Sequence, residues 1–342
     1  MHRPLRLKCS KDALAGNWRW LAERAQTACA AAVKADGYGL GARSVTDILL
    51  DAGCRDFFVS TWWEADQLGS LPHDASLAVL HGLGPDDGVA ASRIRARPVL
   101  NSAQQIRRWK EIAGDRCCDV MIDTGMNRLG LRQEQSDALD GLRIHTLHSH
   151  LACADEDHPL NEDQLARFRD AAATIPAERY SLANSAGIML GPDYGFDLVR
   201  PGLALYGGIP RPEAREHIQQ VARIEAQVVQ RRTIRRGESC GYSATLVAGE
   251  DTEAAIINIG YADGYWRGFS ASGRAYHAGS DLPVLGRVSM DLVAIDCDAV
   301  PHLQEGDWVE LDFTLEEASA QSGKSQYELL TGLGDRFERS WH

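Results

Sequence analysis

Residues 28–52 read ACAAAVKADGYGLGARSVTDILLDA, and this stretch sets the pattern for the chain. Ala28–Val33 is a short, wholly apolar run of the kind found in strands buried on both faces. Gly37, Gly39 and Gly41 supply turn chemistry after it. Val45, Ile48, Leu49 and Ala52 then recur at helical spacing. The same alternation returns at Phe57–Ser60, Leu77–Leu80, Pro98–Leu100, Asp119–Ile122, Ile144–Leu147, Tyr180–Ala183 and Leu198–Val199. Helical patterns at Trp63–Gly69, Ser102–Ala113 and Asn161–Ala173 lie between them. Repeated strand–helix units predict parallel strands joined by right-handed crossovers. About eight of them in roughly 200 residues predict an α/β fold, a (β/α)8 TIM barrel.

The polar residue past each strand would then sit on the catalytic rim: Lys34, Ser60, His81, Asn101, Asp123, His150, Asn184 and Arg200. Lys34 stands out, because a lysine rising from an apolar floor loses basicity and becomes a usable nucleophile. From about residue 214 the pattern changes to short strand-like runs between glycine turns, at Ala226–Ile234, Glu253–Ile259, Ala275–Ala278, Leu292–Asp296 and Asp307–Leu311. Short helices follow at Leu315–Gly323 and Ser325–Leu330. The chain is therefore read as a barrel domain over 1–213 and a C-terminal mainly β domain over 214–342.

Composition narrows the class of function. Of 342 residues, 44% are hydrophobic and 25% charged, as in an ordinary globular protein. The net charge of -12, with no basic cluster, disfavours nucleic acid and anionic membrane surfaces as partners. The eight cysteines form no C-x-x-C pair and read as reduced thiols. No signal-like or membrane-spanning run is present, so a cytoplasmic location is expected.

Several separate motifs carry more. They are AAVKADGYGLGA (31–42), DTGMNRLG (123–130), HSHLACADE (148–156), ANSAG (183–187) and VRPGLALYG (199–207), then GYSAT (241–245), GYADGY (260–265) and GRVSMD (286–291). In this order they resemble the alanine racemase family along nearly the whole chain. The resemblance implies pyridoxal 5'-phosphate (PLP) held by Lys34 as a Schiff base. It implies interconversion of L- and D-alanine, supplying D-alanine for peptidoglycan. Lys34 would be the base on one face of the substrate and Tyr242 the base on the other, since racemisation needs a proton removed from one side and returned from the other. Tyr38, His150, Asn184, Ser185, Arg200, Gly202 and Tyr327 would contact the cofactor. Arg200 would face the pyridine nitrogen, weakening the electron sink because an arginine does not readily give up a proton. Arg128, Tyr261 and Met290 would contact substrate or frame its entrance. Tyr242, Tyr261 and Met290 would reach the site from a partner subunit, implying a homodimer.

Two positions depart from the family pattern. Met121 stands where many members carry a carbamate-modified lysine, so Arg128 needs another orienting group, with a bound anion as the candidate. Ser289 replaces a common cysteine. Among rival readings, serine or broader racemisation shares every motif. A PLP-dependent decarboxylase is opposed by Arg200. A metal-dependent barrel hydrolase would use His148, His150, Asp155 and His158. A single-domain PLP carrier would lack Tyr242.

Overall fold

The computed structural model describes residues 2–342, apart from the side chain of Gln133. The chain forms two compact units. One comprises Leu14–Gly37 and Ala42–Gln219; the other comprises residues up to Ala13, Tyr38–Gly41 and Gln220–His342.

The first unit is built on parallel strands. In order they are Ala28–Cys29 with Ala31–Ala32, Asp56–Val59, Ser76–Val79, Arg97–Leu100, Cys118–Met121, Ile144–His148, Arg179–Ser181 and Leu198–Val199. From Ala31–Ala32 to Arg179–Ser181 each pairs with the next, with register Ala32↔Phe58, Val59↔Val79, Val99↔Asp119 and Met121↔His148. Leu198–Val199 returns to pair with Ala28–Cys29. Its flanks also receive the preceding strand, since Asp197 N–H donates to Tyr180 O at 3.0 Å and Arg200 N–H to Ala183 O at 2.9 Å. The parallel array therefore closes, as the repeated strand–helix pattern predicts.

The inside of this barrel has two tiers of opposite character. Ala30, Phe58, Ala78, Val99, Met121 and Leu198 pack as a buried apolar cluster. Two residues earlier on four of those strands stand Asp56, Ser76, Arg97 and Asp119, which period-two alternation turns the same way. They are satisfied by one another. Ser76 Oγ donates to Asp56 Oδ1 at 2.7 Å, Arg179 reaches Asp56 at 3.1 Å, and Arg97 Nε donates to Asp119 Oδ1 at 2.9 Å. Buried charge survives only when paired in this way.

The second unit is antiparallel for the most part. Its long strand Ala222–Ile234 pairs with Thr252–Ile257 and with Trp308–Leu311. Val293–Asp296, Ser280–Leu285 and Arg274–His277 complete a ring between those two. The N-terminal strand Leu5–Cys9 joins this unit, antiparallel to Ala222–Ile234 and parallel to Glu338–Trp341. Among the described residues no helix is long and apolar enough to cross a membrane.

Candidate active site

Lys34 emerges where the first barrel strand ends, just after Val33 donates its N–H to Phe58 O at 2.9 Å. The backbone then makes an unusual turn. Ala35, Asp36, Gly37 and Tyr38 all have φ between 51° and 61°, in the left-handed region. For L-residues this costs about 1–2 kcal/mol each, so the turn must be held from outside. Gly37 N–H donates to Val33 O at 2.9 Å, Asp36 Oδ1 accepts from Ala42 N–H at 2.8 Å, and Glu64 Oε1 accepts from Ala35 N–H at 2.8 Å. Glu64 is itself fixed by the capping box that opens the helix Trp62–Leu68. A glycine-rich turn was legible in the sequence; left-handed Ala35 and Asp36 were not.

The electrostatics around Lys34 are cationic. Burial lowers its pKa, Arg128 lowers it further, and Glu64 opposes the shift. His150, at the end of Ile144–His148, is pushed down to about 3 by burial and by Arg200, Arg128 and Lys34. It is a neutral imidazole at neutral pH. Burial brings the buried guanidinium of Arg200 down to about 10, with Asp119 opposing, so Arg200 stays charged. Its Nη2 donates to Ser149 O at 2.6 Å, and its Nη1 donates to Ser181 Oγ.

Arg128 stands on an exposed loop shaped by Asp123, whose Oδ1 accepts from Gly125 N–H at 2.9 Å and Asn127 N–H at 3.0 Å. Its guanidinium makes no hydrogen bond or ion pair among the described residues. Met121 lies in the apolar cluster and cannot supply one. Lys34, Arg128 and Arg200 thus gather around His150 with more positive than negative charge. That arrangement suits an anionic ligand.

Ser185 is buried, and its Oγ accepts from Gly202 N–H at 3.0 Å and Ala204 N–H at 3.3 Å. These donors open the short helical segment Leu203–Tyr206. Asn184 Oδ1 accepts from Gly187 N–H at 2.9 Å, capping the next turn. Ser185 and Gly202 thus meet in one hydrogen-bonded corner, and Asn184, next to Ser185 in the chain, is committed to a separate turn.

The second unit carries the remaining residues in two pairs and one lone group. Tyr38 and Tyr327 have ring centroids 6.3 Å apart, and burial, with Tyr327, raises the Tyr38 phenol. Tyr261 N–H donates to Ser289 O at 3.1 Å and Ala262 N–H to Met290 O at 3.0 Å, so GYADGY and GRVSMD are zipped together. A Cβ at Gly260 would lie 2.3 Å from Met290 O, which explains the glycine. Tyr242 projects from a turn containing left-handed Ser243 and Ala244 and is 65% exposed.

Several residues of the site region escaped the sequence reading. Asp263 is fully buried and holds Arg336 at 2.6 and 2.7 Å, while Arg336 also reaches Asp291 at 2.7 Å. Their only signal was an acidic residue inside each of two motifs. Asp119 and His148 form a second buried pair at 3.3 Å. His158 accepts from Leu160 N–H at 3.0 Å at a helix start. Among the described residues no group of three or more metal-ligating side chains is present, and His148 is committed to Asp119.

Comparison with known proteins agrees with this geometry. Residues 9–210 match the family model "Alanine racemase, N-terminal domain", and residues 221–341 match "Alanine racemase, C-terminal domain". The chain is 43% identical to the alanine racemase of Rhodospirillum rubrum, over 96% of this chain and 94% of that protein. It is 42% identical to the catabolic alanine racemase of Agrobacterium fabrum, over 96% and 90%. Its structure resembles that of alanine racemase from Bartonella henselae with covalently bound pyridoxal phosphate, with a TM-score of 0.91, 36% identity and all of both chains covered. The biosynthetic alanine racemase of Pseudomonas aeruginosa gives 0.90 at 32% identity, again over all of both chains. This chain belongs to the alanine racemase family.

Proposed function

We propose that this chain is a PLP-dependent alanine racemase, interconverting L- and D-alanine. The observation that carries the reading is Lys34, a strand-end amine of lowered basicity set among Arg128, Arg200 and neutral His150. That donor set fits an anionic, carbonyl-bearing cofactor: an amine to bind it covalently, cations to hold its charge, and the Ser185–Gly202 corner for a phosphate. When bound, PLP supplies the electron sink that acidifies the substrate's α-hydrogen.

The residues divide the remaining work. Lys34 Nζ anchors the cofactor and moves the α-proton on one face of the substrate. Tyr242 Oη moves it on the opposite face, and its exposure leaves it available to a neighbouring chain's site. Arg200, rigid between Ser149 and Ser181, faces the cofactor ring. Neutral His150, under the charge of Arg200, Arg128 and Lys34, is assigned to link Arg200 with the cofactor side of the site. Arg128, with no acidic partner among the described residues, is left to bind the substrate carboxylate. Tyr38 and Tyr327 supply hydroxyls toward the cofactor, with Asn184 beside them. Tyr261 and Met290, zipped together, frame a small pocket that favours alanine.

The working enzyme on this reading is a homodimer with shared sites, located in the cytoplasm, that supplies D-alanine for peptidoglycan. All eight cysteines are free thiols, which supports a reducing compartment. The experiment is a chiral assay of purified protein with PLP and a panel of L-amino acids. D-alanine should form, and Lys34→Ala should lose both activity and the cofactor's long-wavelength absorption band. Racemisation of another amino acid with alanine untouched would reject the substrate. A borohydride-reducible band in Lys34→Ala would reject the lysine.

A further inference from the structure

Beneath the rim, the barrel holds a buried ionic chain that none of the roles above uses. Asp119 is fully buried on the strand Cys118–Met121. Its two oxygens have different neighbours: Arg97 Nε donates to Oδ1 at 2.9 Å, with His145 Nδ1 3.7 Å from the same oxygen, and His148 Nε2 lies 3.3 Å from Oδ2. His148 is fully buried, its ring edge-on to Phe58 with centroids 5.6 Å apart. Its Nδ1 has no hydrogen-bond partner, which suits a neutral ring carrying its proton on Nε2 toward Asp119. His148 stands in strand register with Ser181, and Ser181 Oγ accepts from Arg200 Nη1. The carboxylate therefore lies one side chain and one strand away from the guanidinium assigned to the cofactor ring. It is the carboxylate whose charge bears on Arg200, and in a dry interior such a field is weakly screened.

We propose that Asp119 is a positioning residue for the racemase reaction, a buried counter-charge that acts through Arg200 on the proton affinity of the nitrogen joining Lys34 to the cofactor. The proposal rests on the assignment of Lys34 and Arg200 above. A carboxylate in direct contact with the ring would raise the ring's own proton affinity. Placed behind an arginine and a neutral histidine, it tempers the arginine's positive field without offering the ring a base. Arg97 and His148 hold its two oxygens so that the counter-charge cannot rotate toward the site.

The bland alternative is that Asp119 and Arg97 are only a structural ion pair. The two readings differ in whether the cofactor's titration moves. Holoenzymes of wild type, Asp119→Asn, Asp119→Glu and Arg97→Gln are titrated with pH while the bound cofactor's long-wavelength band is followed. PLP content and thermal melting are measured alongside. Removing the negative charge should move the titration midpoint to lower pH by about half a unit or more. Removing the positive charge in Arg97→Gln should move it to higher pH, and Asp119→Glu should restore the wild-type value. A structural pair lowers melting in both variants and leaves the midpoint alone. Unmoved midpoints, or shifts of the same sign, overturn the proposal. If Asp119→Asn does not fold, Arg97→Gln decides alone: a higher midpoint supports the proposal, and an unchanged or lower one overturns it. A wild-type protein with no such band would instead overturn the cofactor assignment.

Discussion

At the scale of single residues, the turn after Lys34 makes the sharpest demand on sequence. Gly39 and Gly41 both have left-handed φ, yet their surroundings differ. A Cβ at Gly39 would sit 2.4 Å from Leu330 O, whereas a Cβ at Gly41 would meet nothing within 4 Å. Gly41→Ala should therefore cost only the conformational term, about 1 kcal/mol. Gly39→Ala must also displace backbone, and its loss of melting temperature should be at least twice as large. Equal losses would show that space does not matter there. His148 makes a prediction about pH. Its imidazole has an ordinary pKa of 6.5, and burial pushes it down to about 4 in the fold, against the pull of Asp119. Between those values the unfolded chain binds more protons than the folded one, so stability is full above about 6.5 and falls as pH drops toward 4. The loss is on the order of 1–2 kcal/mol at pH 5. Melting at pH 5 should thus fall below that at pH 7, and His148→Gln should flatten the dependence.

At the scale of elements, the strand–helix alternation was legible because parallel barrel strands are apolar on both faces. Their first residues were not. The apolar pattern starts strands at Phe57, Leu77 and Pro98, but they begin at Asp56, Ser76 and Arg97. Those polar residues look like loop in a sequence. They are interior because Asp56, Arg179, Arg97 and Asp119 neutralise one another, a fact only the closed ring reveals. Motif residues such as Lys34, Ser185 and Arg200 were legible as types, but the left-handed turn and the guanidinium's partners were not. The zipped motifs of the second unit offer a test at this scale. Arg336→Met strands the buried Asp263 carboxylate, with Gly260 N–H as a remaining partner at 3.1 Å. The expected cost is about 2–3 kcal/mol, moderated because Arg336 is half-exposed. If Tyr261 frames the substrate pocket, KM for alanine should rise more than kcat falls. A variant with an intact melting curve and unchanged KM would refute both.

At the scale of the whole molecule, the proposed sharing of sites between chains predicts complementation. Tyr242, Val247, Met290 and Leu292 are all at least 40% exposed on the second unit, an apolar surface that pairing would cover. Lys34→Ala and Tyr242→Phe should each be nearly inactive alone. Unfolded together and refolded as a mixture, half the dimers would carry one chain of each kind, and each such dimer would regain one intact site. Activity should return to about a quarter of wild type for a symmetric pair. No recovery would place Lys34 and its opposing tyrosine in one chain.

The strand Leu5–Cys9 has a consequence for how the molecule is made. Leu5, Leu7 and Cys9 are buried, yet their neighbours in the sheet are Ala222–Ile234 and Glu338–Trp341. On a ribosome adding about 5–20 residues per second, the strand waits roughly ten seconds or more for its first partner and longer for its second. During that interval it is an unpaired strand with one apolar face, Leu5, Leu7 and Cys9, left uncovered. Proteolysis of stalled nascent chains should cut near Leu7 until Ala222–Ile234 has emerged. Synthesis order thus gives a strand made before the whole barrel a place in the fold that opens only after it.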